Sequence, residues 1–187
     1  DKVTSKIASA LYTGIMTDTG SFKFPSTTDL THKVVSELIK KGANGNQINN
    51  LVYDNNSYDK LLLLSHTLSN MVVDMQHKTA YMYLTQQSLN KYNFKKGDTE
   101  GFVNYGLSIK GVKFAAIFIE NEAEKIIKIS FRSKGDFNVN EFSRNNFNGG
   151  GHINAAGGYS KENLEATLLK FKNLLPDYKT KLNEWGL

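Results

Sequence analysis

Residues 111–131, GVKFAAIFIENEAEKIIKISF, hold two β-rich runs around a short acidic connection, and their reading decides the fold. Isoleucine, valine and phenylalanine favour pleated backbone because their branched or flat side chains pack well on a half-buried surface. Residues 111–119 and 125–131 are therefore expected as strands, joined through Glu120-Asn121-Glu122-Ala123-Glu124 into an antiparallel hairpin. In the second run Ile127, Ile129 and Phe131 alternate with polar residues, the period of a strand with one face buried. Thr79-Ala80-Tyr81-Met82-Tyr83-Leu84 is a third such run and reads as a buried strand.

Outward from these strands the apolar period becomes helical. Val3, Ile7, Ala10, Leu11 and Ile15 predict a helix over residues 4–16. Leu30, Val34, Val35, Leu38 and Ile39 form one stripe of a second helix, with Thr28 as its cap and Gly42 as its stop. Residues 44–53 read as a short helix with Ile48, Leu51 and Val52 inward. Leu61, Leu64, Leu68, Met71 and Val72 extend the pattern over residues 57–75, long enough to bridge two subdomains. Beyond the strands, residues 139–147 and 162–174 read as helices, the latter ending before Pro176. The class is mixed α/β. A helical piece spans residues 1–56, a connecting helix 57–76, and an α+β domain with a mixed or antiparallel sheet 77–187.

Composition narrows the chemistry. The 187 residues are 40% hydrophobic, enough to build a core, and none is cysteine, so disulfides, zinc ribbons, iron–sulfur clusters and thiol nucleophiles are excluded. The expected compartment is the cytoplasm, since no apolar run is long enough to span a bilayer and residues 1–4 lack the apolar core of a signal peptide. Of the 23 positive side chains, set against 18 acidic ones, all but Arg132 and Arg144 are lysines spread along the chain, which describes a solvated exterior better than a nucleic-acid stripe. In so lysine-rich a chain the planar fork of an arginine stands out.

Three places carry candidate chemistry. Residues 148–158, NGGGHINAAGG, leave the backbone open to close approach. Successive glycine N–H groups, especially ahead of a helix, can cradle a phosphate, with His152 as an added donor; tight packing of helix on strand is the alternative. Arg132, in Phe131-Arg132-Ser133, ends a predicted strand and can grip a phosphate or carboxylate with two parallel bonds, unless it pairs with Asp136 or Glu141. Asp18, in Thr17-Asp18-Thr19-Gly20, suits a metal ligand or a helix cap. His32, His66 and His77 have no metal-binding spacing. Tyr105, Phe147 and Tyr159 are candidates for stacking on a base.

The combination of Leu11-Tyr12-Thr13-Gly14-Ile15-Met16-Thr17-Asp18-Thr19-Gly20-Ser21-Phe22, Phe131-Arg132-Ser133 and Gly149-Gly150-Gly151-His152-Ile153-Asn154-Ala155-Ala156-Gly157 resembles the DHH/DHHA1 phosphoesterase family, in its oligoribonuclease and pAp phosphatase (nanoRNase) branch. The resemblance implies the end of a DHH domain followed by a DHHA1 domain that holds substrate through Arg132, Ser133, Gly150, Gly151 and His152. It implies Asp18 as a metal ligand, a pair of Mn²⁺ or similar divalent ions, catalysis by Asp18 and His152, and short single-stranded RNA or 3′-phosphoadenosine 5′-phosphate as substrate. Many family members carry four glycines where this chain has Asn148 and three. The family's early Asp-x-Asp pair, a further aspartate and the Asp-His-His motif are absent here. The expectation is the substrate-binding half of a longer enzyme, inactive alone. A cyclic-dinucleotide or pyro/exopolyphosphate hydrolase, a nucleotide-binding module without chemistry, and a homodimer pairing through strands 112–131 stay open.

Overall fold

In the computed structural model, which describes residues 2–24 and 26–183, the chain divides between Asn56 and Ser57 into two compact units. The expected domain limits at Asp1 and at residues 184–187 lie outside the described residues.

The first unit holds three helices, α1 (Ser5–Asp18), α2 (Asp29–Lys40) and α3 (Gly45–Tyr53). Thr28 and Thr31 close a capping box at the start of α2, and the Asn44 side chain accepts from Gln47 N to cap α3. Ala8, Tyr12 and Met16 of α1 pack with Val35 and Leu38 of α2 and Ile48 of α3. The inward set is narrower than the stripes predict. Leu30 and Leu51 are each 64% exposed, and Val34, Ile39 and Val52 are exposed too, because α2 and α3 each present only part of their stripe to α1.

The second unit is a three-layer α/β/α arrangement. Its elements run α4 (Tyr58–Ser69), β1 (Val72–Asp74), β2 (Thr79–Leu84), α5 (Gln86–Lys91), α6 (Phe102–Ser108), β3 (Phe114–Asn121), β4 (Ile126–Ser133), α7 (Val139–Asn146), β5 (Gly150–His152), β6 (Ala155–Ser160), α8 (Leu164–Leu174) and α9 (Lys179–Asn183). The sheet order is β1-β2-β3-β4-β6-β5, with β2 and β3 parallel and every other pair antiparallel. The parallel step is possible because α5 and α6 carry the chain across one face. On that face Leu63 of α4 and Phe102 and Val103 of α6 meet Met82, Leu84, Ala115 and Ile117. On the other, Phe114, Phe118 and Phe131 pack with Phe142, Phe147 and Phe171 from α7, its C-cap and α8, ring centroids mostly 5–6.5 Å apart. Strand β3 is buried on both faces, whereas β4 alternates.

Two expectations are corrected here. The helix predicted over residues 57–75, the core of the 57–76 connector, stops at Ser69: the Asn70 backbone caps it, and β-branched Val72 and Val73 pair instead with Tyr81 and Ala80. It belongs to the second unit, packed on β2. Pairing of a second copy through strands 112–131 finds no open edge, because β3 and β4 both have neighbours on two sides; the edges are β1 and β5. Among the described residues no helix is long and apolar enough to cross a membrane.

Candidate functional site

The parity of β4 selects the site. Ile127, Ile129 and Phe131 point into the phenylalanine core, so Lys128, Ser130 and Arg132 stand on the opposite face. That face is covered by α4 to α6 over β2 and β3, and small residues pave it toward the β5 edge. Register sets the rows, since paired residues share a face. Arg132 pairs with Ala155 and Ala155 with His152; Ser130 pairs with Gly157 and Gly157 with Gly150; Lys128 pairs with Tyr159. Arg132 and exposed His152 are thus two strands apart, about 10 Å at the usual strand spacing. Between them lies only the methyl group of Ala155.

Arg132 is half-buried, and its Nη1 donates to the carbonyl of Phe131 at 2.9 Å. Among the described residues it pairs with no carboxylate, neither Asp136 nor Glu141; Glu141 faces Lys181 at 3.7 Å. Burial without a counter-charge lowers its pKa, because desolvation disfavours the charged form. The fold therefore holds a partly dehydrated guanidinium with unused donors over a floor of alanine and glycine. By contrast Lys128 on the same strand is neutralised by Glu124.

Ser133 has a different place. Only 7% exposed, it donates to the carbonyl of Phe137 at 2.6 Å and accepts from Asn154 Nδ2 at 2.9 Å. Asn154 also donates to the carbonyl of Gly135 at 2.8 Å, and Val139 N to that of Ile153. Ser133 and Asn154 strap the tip of the β5–β6 hairpin to the loop after β4, which holds His152 in the row with Arg132.

The glycine-rich run is not a loop ahead of a helix, the setting that most favours a phosphate cradle. It forms antiparallel β5 and β6 around a turn at Ile153 and Asn154, so its N–H groups serve a ladder instead of converging on one point. Close packing explains much of the composition. A Cβ on Gly149 would lie 1.9 Å from the Gly157 carbonyl oxygen, and one on Gly158 would lie 2.7 Å from that of Phe147. Ser143, buried in α7, donates into this contact at the Gly157 carbonyl, 2.6 Å away. Gly151 combines φ of +155° with a backbone approach of 2.4 Å and donates its N–H to Asn140 Oδ1, which also accepts from Arg144 Nε. Gly157 differs: its nearest would-be neighbour is 3.7 Å away, because it faces the open side.

Sequence reasoning missed the floor made by Ser130, Ala155 and Gly157, and the Asn140–Arg144 clasp on the edge strand. The alternation through residues 126–133 and the i, i+4 spacing of 140 and 144 were the available signals. Tyr105, 45% exposed on α6, and Tyr159, 37% exposed in the next row, remain open for stacking; Phe147 is 1% exposed and belongs to the core.

Asp18 is the exposed last residue of α1, beside a shallow cavity lined by Gly14, Ile15 and Thr17, all within the first unit. His66 is engaged with Ser88 and Asn70, and His77 with Asp74. Among the described residues no three His, Cys, Asp or Glu side chains gather as a metal site. The expected two-metal centre is therefore not one these residues could hold alone, and no chemical step is derived through it.

Comparison with known proteins places the site in context. A family model described as the DHHA1 domain matches residues 74–177. A bifunctional oligoribonuclease and PAP phosphatase of Bacillus subtilis is 28% identical over 95% of this chain and 55% of its own length. A probable enzyme of the same description from Streptococcus mutans is 32% identical over 93% of this chain and 55% of its length. The crystal structure of an exopolyphosphatase-related protein from Bacteroides fragilis superposes with a TM-score of 0.94 at 40% identity, over 97% of this chain and 53% of that one. The chain thus spans about half the length of the curated relatives it matches.

Proposed function

The chain belongs to the DHHA1 domain family, and from that premise we propose that its second unit is the substrate-holding half of a DHH-type phosphoesterase acting on very short oligoribonucleotides and 3′-phosphoadenosine 5′-phosphate. The observation that carries the reading is the half-buried Arg132 guanidinium, without a carboxylate partner, facing His152 across a floor of small residues. A phosphate on this floor takes two charge-assisted hydrogen bonds from Arg132 and a third from His152, and Ala155 and Gly157 let it approach the sheet. Exposed Tyr159, on the same face of β6 as Ala155 and Gly157, is our first candidate for stacking on a base, and Tyr105 of α6 the second. Such a site grips one end of a strand, which favours short substrates.

The relatives' printed names support the substrate class, and the longer length of those relatives supports a second half that completes the catalysis. In the complete protein Asp18 is one ligand of a Mn²⁺-type metal site, supplied with its other ligands from outside this chain. This chain by itself binds without cutting.

The test is a fluorescence-anisotropy titration of a 5′-labelled trinucleotide RNA into the chain and its Arg132→Ala variant, followed by incubation with Mn²⁺. Saturable binding weakened about 10- to 150-fold by the substitution is expected, as is RNA that stays intact. Binding unaffected by Arg132→Ala refutes the site, and cleavage by the chain refutes its dependence on further residues.

A further inference from the structure

One hydroxyl on the open face of β4 serves no contact within the fold. Ser130 is half-buried and stands two residues before Arg132 on the same side of the strand, about 6.7 Å away at the usual rise. Its cross-strand neighbours supply no polar side chain, since Ile117 of β3 is apolar and Gly157 of β6 carries none. The other serines and threonines of the sheet are engaged. Thr79 donates to the carbonyl of His77 at 2.8 Å, Ser133 donates to that of Phe137 at 2.6 Å, and Ser160 accepts from Thr167 at 2.9 Å. The Ser130 hydroxyl makes no hydrogen bond among the described residues. A half-buried polar group left in this way costs folding free energy, which an outside partner recovers.

Gly157, beside it, is equally unexplained by packing. A Cβ there would come no nearer than 3.7 Å to another atom, and the backbone does not lie in the left-handed region that favours glycine. Glycine inside a strand weakens it and marks a place where a ligand comes close to the sheet. Ser130 therefore borders a part of the floor kept clear of side chains.

Register then gives an order. The first row is Arg132, Ala155 and His152, the second Ser130, Gly157 and Gly150, and the third Lys128 and Tyr159. Phosphate, sugar and base follow one another in a nucleotide in the same sequence. With its phosphate in the first row and its base against Tyr159, a nucleotide lays its sugar over Gly157, beside Ser130. Short RNA and 3′-phosphoadenosine 5′-phosphate share one free sugar hydroxyl next to a phosphate, at the ribose 2′ position. That group both donates and accepts, as a serine hydroxyl does, and it is what separates RNA from DNA.

We propose that Ser130 is a specificity-determining residue, which hydrogen-bonds the ribose 2′-hydroxyl of the nucleotide whose phosphate Arg132 holds and so selects ribonucleotides over deoxyribonucleotides. The proposal rests on the sheet-face reading and adds to it the sugar that the site accepts.

Isothermal titration calorimetry compares the ribo and 2′-deoxyribo forms of one 5′-phosphorylated adenosine trinucleotide, each titrated into the chain without metal. The wild type is expected to hold the ribo form about 2- to 12-fold more tightly, the range of one neutral hydrogen bond. Ser130→Ala should bring that ratio close to one, and Ser130→Cys, which keeps the shape but bonds weakly, should do the same. Arg132→Ala should weaken both forms alike, because both carry the phosphate. Equal affinity of the wild type for the two forms, or a ratio unchanged in both folded Ser130 variants, overturns the role of Ser130, while Arg132-dependent binding of both forms leaves the sheet-face reading standing. Binding that is absent, or indifferent to Arg132, overturns both.

Discussion

Replacing Arg132 by methionine should strengthen the fold while removing its ligand. The guanidinium is half-buried, makes one hydrogen bond to its own neighbour's carbonyl and meets no counter-charge among the described residues, and desolvation lowers its pKa. Keeping it charged therefore costs folding free energy. A fully buried unsatisfied polar group costs about 1–3 kcal/mol, and partial exposure reduces this to about 0.5–1 kcal/mol. Methionine keeps the unbranched stem beside Ala115 and Ala155, its cross-strand partners, and discards the charge. For a unit of this size the gain corresponds to a melting temperature higher by about 2–4 °C. Binding should move the opposite way, because charge-assisted hydrogen bonds contribute about 1.5–3 kcal/mol, equivalent to a loss of about 10- to 150-fold in trinucleotide affinity. Thermal melts by circular dichroism and anisotropy titrations measure both. A variant that melts lower by several degrees yet binds as before would show Arg132 to be structural and sink the argument.

Gly157→Ala and Gly149→Ala differ by eight positions and should have opposite effects: the first narrows the open floor and weakens binding with stability nearly unchanged, whereas the second drives a methyl into the Gly157 carbonyl and costs about 3 kcal/mol or more in urea unfolding. Phe131→Ala, at a wholly buried ring, should cost about 3–5 kcal/mol by the same measurement. Asp74 makes the fold pH-dependent. Burial would raise its carboxyl, but hydrogen bonds from the His77 ring at 2.6 Å and backbone N–H, together with the charge on that ring, outweigh it and hold the pKa below the usual carboxylate value. The sign follows: this stabilisation is complete above about pH 4, where an unfolded aspartate titrates, and is lost as pH falls through the lower folded value. Asp74→Asn keeps the cap and should flatten the urea midpoint over that acid range; an unchanged profile would show that the pair does not contribute.

Much of the second unit was legible locally. Period-two alternation at residues 126–131 assigned β4 and the face that Arg132 occupies, and the run at 79–84 marked β2 because a strand buried on both sides needs apolar residues throughout. The apolar period over residues 57–75 was misleading, since it does not distinguish one long helix from a helix followed by a strand. Only pairing with Tyr81 and Ala80 turns Val72 and Val73 into β1. The glycines likewise announced close approach without saying to what. The answer, that Gly149 and Gly158 admit α7 while Gly157 opens a floor, depends on atoms from other elements.

By itself the sequence determined that β2, β3 and β4 pleat, that α1, α2, α3, α7 and α8 coil, and which side of β4 is polar, because those follow from side-chain period and the chemistry of neighbouring residues. Tertiary structure alone decided that β6 lies between β4 and β5, so that Arg132, Ala155 and His152 fall in one row. The physical reason is that hydrogen-bond partners between strands are chosen by global packing, and residues far apart in the chain carry no local mark of their register.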